Sequence, residues 1–261
     1  MKRSRAAWLT VAIVLLLAVL LVWFLPARWV APVVQSRLHG WKLEGVHGLV
    51  WDGAAEQLRG PDGRSLGAVR WQLSRRALWG RLDLQLAFDG PMLTARGHLQ
   101  RDPQGRSVWS DVALRSDLAT WSPRIDTSLG SPQGRLTATL QRVVLQANWP
   151  VELDGRAQWR DAAMQMPAQP VVALGNLATT LDGASGVLHG ELHDQGKGPL
   201  RVEGQWQASP LGWRLDLLLQ PRTADPALRR WLARLGRPDT DGAVHLHRRG
   251  GLAAATPEAA R

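Results

Sequence analysis

The chain has no cysteine and no tyrosine, only two phenylalanines, and lysine only at Lys2, Lys42 and Lys197. Without cysteine there are no disulfides, no thiolate metal sites and no lipidation on sulfur. That absence assigns no compartment, because a domain of this length can bury a core without staples. With lysine so scarce, the formal net charge of +10 is carried by arginine. The arginines are scattered rather than gathered into a stripe, which argues against nucleic acid and leaves an anionic membrane face or an acidic protein as suitable partners. Catalytic signatures are missing as well: there is no G-x-S-x-G, no Walker A, no G-x-G-x-x-G and no H-E-x-x-H helix. Beyond residue 25 no apolar run is long enough to span a bilayer.

One such run is present. Ala6 to Leu25 (AAWLTVAIVLLLAVLLVWFL) carries no charge, and Thr10 is its only polar side chain. At 1.5 Å per residue it makes roughly 30 Å of helix, the thickness of a hydrocarbon core. Lys2, Arg3 and Arg5 precede it and Arg28 alone follows closely, a bias that holds residues 1–5 in the cytoplasm and sends the rest across the membrane. Trp8, Trp23 and Trp29 lie near its ends, where indoles favour the headgroup zone. A cleaved signal peptide is the rival reading. The apolar core is too long for one, and cuts after Ala27 or Ala31 would place Leu25 or Trp29 at the −3 position. The expectation is an uncleaved, single-pass signal anchor over 6–25, then a juxtamembrane linker over 26–40 that turns at Pro32.

From Trp41 the hydrophobic period changes to two. Val69, Trp71 and Leu73 alternate with Arg70 and Gln72, and Leu82, Leu84, Leu86 and Phe88 with Asp83, Gln85 and Ala87. The same holds for Leu136–Leu140, Leu200–Trp206 and Trp213–Leu219. Turn compositions punctuate these runs at Pro61-Asp62-Gly63, Asp89-Gly90-Pro91, Pro103-Gln104-Gly105, Asp182-Gly183 and Gln195–Gly198. Short alternating strands joined by tight turns predict antiparallel meanders, and the lack of long crossovers excludes a parallel sheet. Asp117–Leu129 suggests a short helix broken at Pro123. A clearer helix is expected between an Asp225 cap, with Pro226 in its first turn, and Gly236, because Leu228, Trp231, Leu232 and Leu235 form one stripe at i, i+3, i+4 and i+7. A last strand is expected near Ala243–His247, and residues 251–261 read as a disordered tail.

Small features recur at a near-constant offset. Trp51, Ala54, Leu66-Gly67 and Val69 return as Trp159, Ala162, Leu174-Gly175 and Leu177, and Gly97 and Gly105 return as Gly204 and Gly212. The expected fold is therefore mainly β. Two similar antiparallel units, residues 41–130 and 131–250, share one core, with one or two short helices.

No catalytic, cofactor-binding or metal-binding residue is assigned, and no cofactor is expected. His189/His193 lie four apart in strand-like sequence with no H-E-x-x-H helix around them, and His245/His247 share one strand face with no carboxylate near in sequence; both pairs read as surface histidines. Asp52, Asp83, Asp111, Asp161 and Asp216 are spread singly. Trp71, Trp159, Trp206 and Trp213 read as core filler with the indole N–H near the rim; a sugar- or lipid-binding platform is the livelier alternative.

Several stretches together resemble a known family. They are Leu25-Pro26-Ala27-Arg28-Trp29, Leu43 to Ala54 (LEGVHGLVWDGA), Leu66 to Leu73 (LGAVRWQL), Leu78 to Leu82 (LWGRL), Pro221-Arg222, Leu228-Arg229 and Leu235 to Asp239 (LGRPD). Their order is similar to that of type II secretion system protein N, the general secretion pathway N component, from the anchor to about Leu252. The resemblance implies a Gram-negative inner-membrane protein with a periplasmic domain, a non-catalytic accessory to the export of folded proteins. Its implied partners are the secretin or inner-membrane platform proteins. A more distant likeness to AsmA/TamB-like proteins implies instead a lipid-handling role in envelope biogenesis, with an apolar groove.

Overall fold

The computed structural model describes residues 13, 15–17, 20–37, 40–61, 63–101, 105–121 and 129–251. One antiparallel sheet dominates it. Its strands are β1 (Lys42–Glu44), β2 (His47–Gly48), β3 (Asp52–Arg59), β4 (Ser65–Leu73), β5 (Leu82–Asp89), β6 (Leu93–Arg101) and β7 (Ser107–Asp117). They continue as β8 (Ser131–Gln146), β9 (Trp149–Gln165), β10 (Val172–Ala184), β11 (Val187–Asp194), β12 (Leu200–Ser209), β13 (Gly212–Pro221) and β14 (Val244–Gly251). From β3 onward every strand pairs with its successor; β1 and β2 both pair with β3. The sheet runs without a break through β7 and β8, the strands on either side of residue 130.

Register explains why the chain accepts so large a sheet. One row crosses it from β3 to β14 as Ala55, Val69, Phe88, Ala95, Leu114, Ala138, Ala157, Thr179, Leu192, Gly204, Leu217 and Leu246. A neighbouring row on the other face reads Asp52, Gln72, Gln85, His98, Ser110, Arg142, Asp154, Asp182, His189, Gln207, Arg214 and Arg249. A slip of one residue would exchange these faces, so the register is strongly specified. Cα atoms of β9 and β11, and of β10 and β12, come within 8 Å, short of the roughly 9.6 Å that a flat sheet sets between alternate strands. The sheet is curled there.

Two helices complete the described fold: α1 (Ala27–Arg37) and α2 (Pro226–Leu235). The Asp225 carboxylate accepts from the Ala227 N–H at 2.8 Å, as its capping position required. Leu228, Trp231, Leu232 and Leu235 are all buried against Ala162, Met164, Val172, Leu174, Val202, Leu219 and Val244. The Trp231 indole N–H donates to the Leu129 carbonyl at 3.0 Å. This helix closes the apolar face over one end of β9–β14.

Three expectations change. Pro32 does not turn the chain, because it lies inside α1. Missing its N–H weakens the helix, but Ala27 and Ala31 are buried one turn apart, and tertiary packing outweighs that local penalty. The Asp117–Leu129 segment opens as a 3-10 turn over Leu118–Trp121, and residues 122–128 lie outside the described set. The final strand extends to Gly251; the tail expected after it falls on residues that are not described.

The anchor also falls largely outside the described residues. Residues 13, 15–17 and 20–23 are helical, and among the described residues no helix is long and apolar enough to cross a membrane.

Candidate functional site

Antiparallel order sends the connections alternately to two ends of the sheet. The β4–β5, β8–β9 and β12–β13 turns share the end at which the chain enters from residues 20–25. The β5–β6, β9–β10 and β11–β12 turns and α2 share the other. At the entry end, Val50 N–H donates to the Leu25 carbonyl at 3.0 Å, Pro26 bridges Leu49, and the Trp51 indole donates to the Val22 carbonyl at 2.9 Å. From there α1 climbs beside β1 and β2, and Gln35 Nε2 donates to the Leu43 carbonyl at 2.9 Å. α1 thereby touches the first edge of the sheet, whose strands β1 and β2 stay largely exposed.

The last edge is β14. β14 pairs with β13 over its whole length, and among the described residues no strand or helix pairs with its outer side. Its sequence, Val-His-Leu-His-Arg-Arg-Gly-Gly, contains no acid. An edge strand presents a row of free N–H and C=O groups, the template for pairing with another chain. Arginine on such a strand discourages indiscriminate pairing and favours an acidic incoming segment.

The polar face collects the ionisable groups. His98 Nε2 lies 2.6 Å from Asp83 Oδ1, and His247 Nδ1 pairs with Asp216. A cavity of about 760 Å³ opens between Arg70, Gln72, Gln85, Arg96, His98 and Asp111. Another of about 550 Å³ is lined by Glu191, His193, Glu203, Asp216, His245 and His247. Across the strands His193, which already has Glu191 and Asp194 close in sequence, faces Glu203 on β12, and His247 gains in Asp216 on β13 a carboxylate neighbour that its own strand does not offer. Among the described residues no group of three His, Asp or Glu is placed to hold a metal ion. Asp111 and Asp161 both sit at φ 52°, where they form bulges, and Asp161 also pairs with Arg135 at 3.0 Å. His189 stands in the polar row beside Asp182, and Asp52 lines the larger cavity.

Asp194 is the most constrained carboxylate. Its side chain is only 5% exposed, with Arg222 Nη1 at 2.6 Å from Oδ2 and Nη2 at 3.2 Å from Oδ1. Burial alone would raise its pKa. The Arg222 hydrogen bonds, the N–H groups of Val202 and Gly196, and the Arg222 charge outweigh that and hold it at about 2. The pair ties the β11–β12 turn to the exit of β13, a structural staple rather than a reactive group.

The apolar face carries the tryptophans. Trp71, Trp159 and Trp206 are half-buried, and their indoles donate to Val50 O, Gln133 O and Thr179 Oγ1 at 3.1, 2.8 and 3.2 Å. Trp213 departs from the expectation and is 48% exposed. The ring of Trp71 lies over Gly53 on the adjacent strand, where a Cβ would meet it at 2.6 Å, so glycine is required there. Outside the α2 cluster, Leu86, Leu99, Trp109, Val112, Leu140 and Leu181 are half-buried on this same face. The bare β14 edge, its basic character and the collar around residues 20–25 were missed in the sequence. The last two had a signal, in the HRR triplet and the Trp51–Arg75 pair of otherwise unexplained large residues.

Residues 39–247 match the family model described as type II secretion system (T2SS), protein N. No curated protein and no solved structure matches the chain.

Proposed function

The chain belongs to the type II secretion system protein N family, and from that membership we propose that it is a non-catalytic scaffold of the secretion machine. It is anchored in the inner membrane by residues 6–25, with its N-terminus cytoplasmic and its sheet in the periplasm. The observation that supports the scaffold is the last edge: β14 is basic, and among the described residues no strand pairs with its outer side. An extended acidic segment of the secretin or of an inner-membrane platform protein would add a strand to β14. Strand addition draws its affinity from main-chain hydrogen bonds and needs no dedicated side-chain site.

The two halves, 41–130 and 131–250, are read as copies of one unit. Gly67 and Gly175 both have positive φ, and a Cβ at either would run into the glycine of the next turn, Gly90 or Gly198. Those turn glycines stand at the same offset from each other.

A second reading rests on the half-buried apolar side chains beyond α2, which would take an acyl chain in a lipid-handling protein. One experiment separates the two. Photo-crosslinking residues placed at His247 and Arg249 in intact cells, with identification of proteins and lipids, should recover secretin or platform subunits. Recovery of phospholipid or lipopolysaccharide without secretion components would overturn the scaffold.

A further inference from the structure

The turn between β4 and β5 is built around an arginine held between two indoles. The Arg75 guanidinium lies 4.2 Å from the ring centre of Trp23 and 5.9 Å from that of Trp51. Among the described residues its buried Nε has no hydrogen-bond partner, and the ring faces supply stabilisation. The 3-10 turn Arg75–Trp79 that follows is closed on itself. Ser74 Oγ accepts from the Arg76 N–H at 3.3 Å, Gly80 at φ 75° turns the chain back, and Arg81 N–H donates to the Arg76 carbonyl at 3.2 Å. A turn held this firmly nevertheless leaves Leu78 52% and Trp79 76% exposed. The segment Ser74–Leu82 contains three arginines and no acid.

We infer that this turn is a membrane-contact element, with Trp79 and Leu78 seated among the headgroups and Arg76 and Arg81 on the phosphates of anionic phospholipid. The inference rests on the anchor proposed above, because it is Trp23, at the end of that helix, which fixes the level of Arg75. A 3-10 turn rises about 2 Å per residue, so Trp79 stands within about 8 Å of Arg75 along the turn. The headgroup zone on each side of the hydrocarbon is about 5–7 Å deep. Trp79 therefore falls at the depth that indoles prefer, and flanking arginines strengthen binding to an anionic leaflet. The contact sets the orientation of the sheet: its entry end faces the membrane, and the α2 end faces away.

The absence of cysteine makes the test direct. Trp79→Cys, Leu16→Cys and Val171→Cys are each labelled with an environment-sensitive dye in the full chain, reconstituted in phosphatidylglycerol/phosphatidylethanolamine vesicles. Val171 is an exposed apolar residue at the opposite end of the sheet. Nitroxide-bearing lipids should quench most of the emission at positions 16 and 79 and little at 171, and Arg76→Ser with Arg81→Ser should reduce the quenching at 79. Quenching at 16 but not at 79 overturns the contact while the anchor stands. Quenching at 79 but not at 16 removes the anchor and leaves the contact. Protection of 79 from aqueous reagent without quenching by lipid points to a protein neighbour and also overturns it.

Discussion

Replacing Trp231 by alanine asks whether α2 truly seals the sheet. Trp231 is 6% exposed, packs within the buried core cluster and donates its indole hydrogen to Leu129. Removing it strips the centre of the stripe, with Leu228 and Leu232 left flanking a cavity. The expected loss is about 3–5 kcal/mol, which at about 2–4 °C per kcal/mol for a domain of this size lowers the melting temperature by about 6–20 °C. Trp231→Phe retains most of the ring volume and gives up the hydrogen bond, so it should cost about 1 kcal/mol for the bond plus a small void. Arg230→Ala, on the exposed side of the same helix, should stay within about 0.5 kcal/mol. Thermal melts of the detergent-solubilised full chain, followed by near-ultraviolet circular dichroism, give the comparison. If Trp231→Ala melted no lower than Arg230→Ala, the docked helix would be refuted.

Three further outcomes follow from the geometry. Asp194, held at about 2 against its ordinary 3.8, contributes stability that is present above about pH 4 and lost as pH falls through about 2. Arg222 is partly exposed, so the contribution is about 1–2 kcal/mol, and Asp194→Asn should flatten that part of an acid-unfolding curve. Gly67→Ala and Gly175→Ala should each cost about 1–3 kcal/mol or more, since both positions have positive φ and no room for a Cβ; sharply unequal costs in denaturant titration would argue against the duplication. Trp51→Phe removes the hydrogen bond to Val22 and should speed amide exchange at Val50, whose N–H is bound to Leu25; unchanged exchange would show that the collar does not depend on that indole.

Where alternation was strict, strands were legible: β4, β5, β12 and β13 begin and end within a few residues of their sequence patterns. β7 and β9 were obscured because Asp111 and Asp161 adopt a left-handed conformation that shifts the period by one. Aspartate tolerates that conformation without announcing it in the way glycine does. The helix stripe from Leu228 to Leu235 was readable because its caps and spacing agreed. α1 was not, since a proline stood in its middle and tertiary contacts, the packing of Ala27 and Ala31 and the Gln35 bond to Leu43, sustain it. The candidate edge was invisible for a different reason. Nothing in Val244–Gly251 says that, among the described residues, its outer side goes unpaired, and that is a property of the whole topology.

That topology also bears on assembly. When every strand from β3 onward pairs with its successor, no contact in the ladder waits for a distant part of the chain. Loop-closure entropy is therefore small at each step, and formation can proceed hairpin by hairpin as the polypeptide emerges, first strand to last. The exception is the tie from Trp231 back to Leu129, a separation of 102 residues. Until that helix arrives, the growing ribbon has an unsealed apolar side and a live margin. Among the described residues the margin at β14 is the last front of that growth.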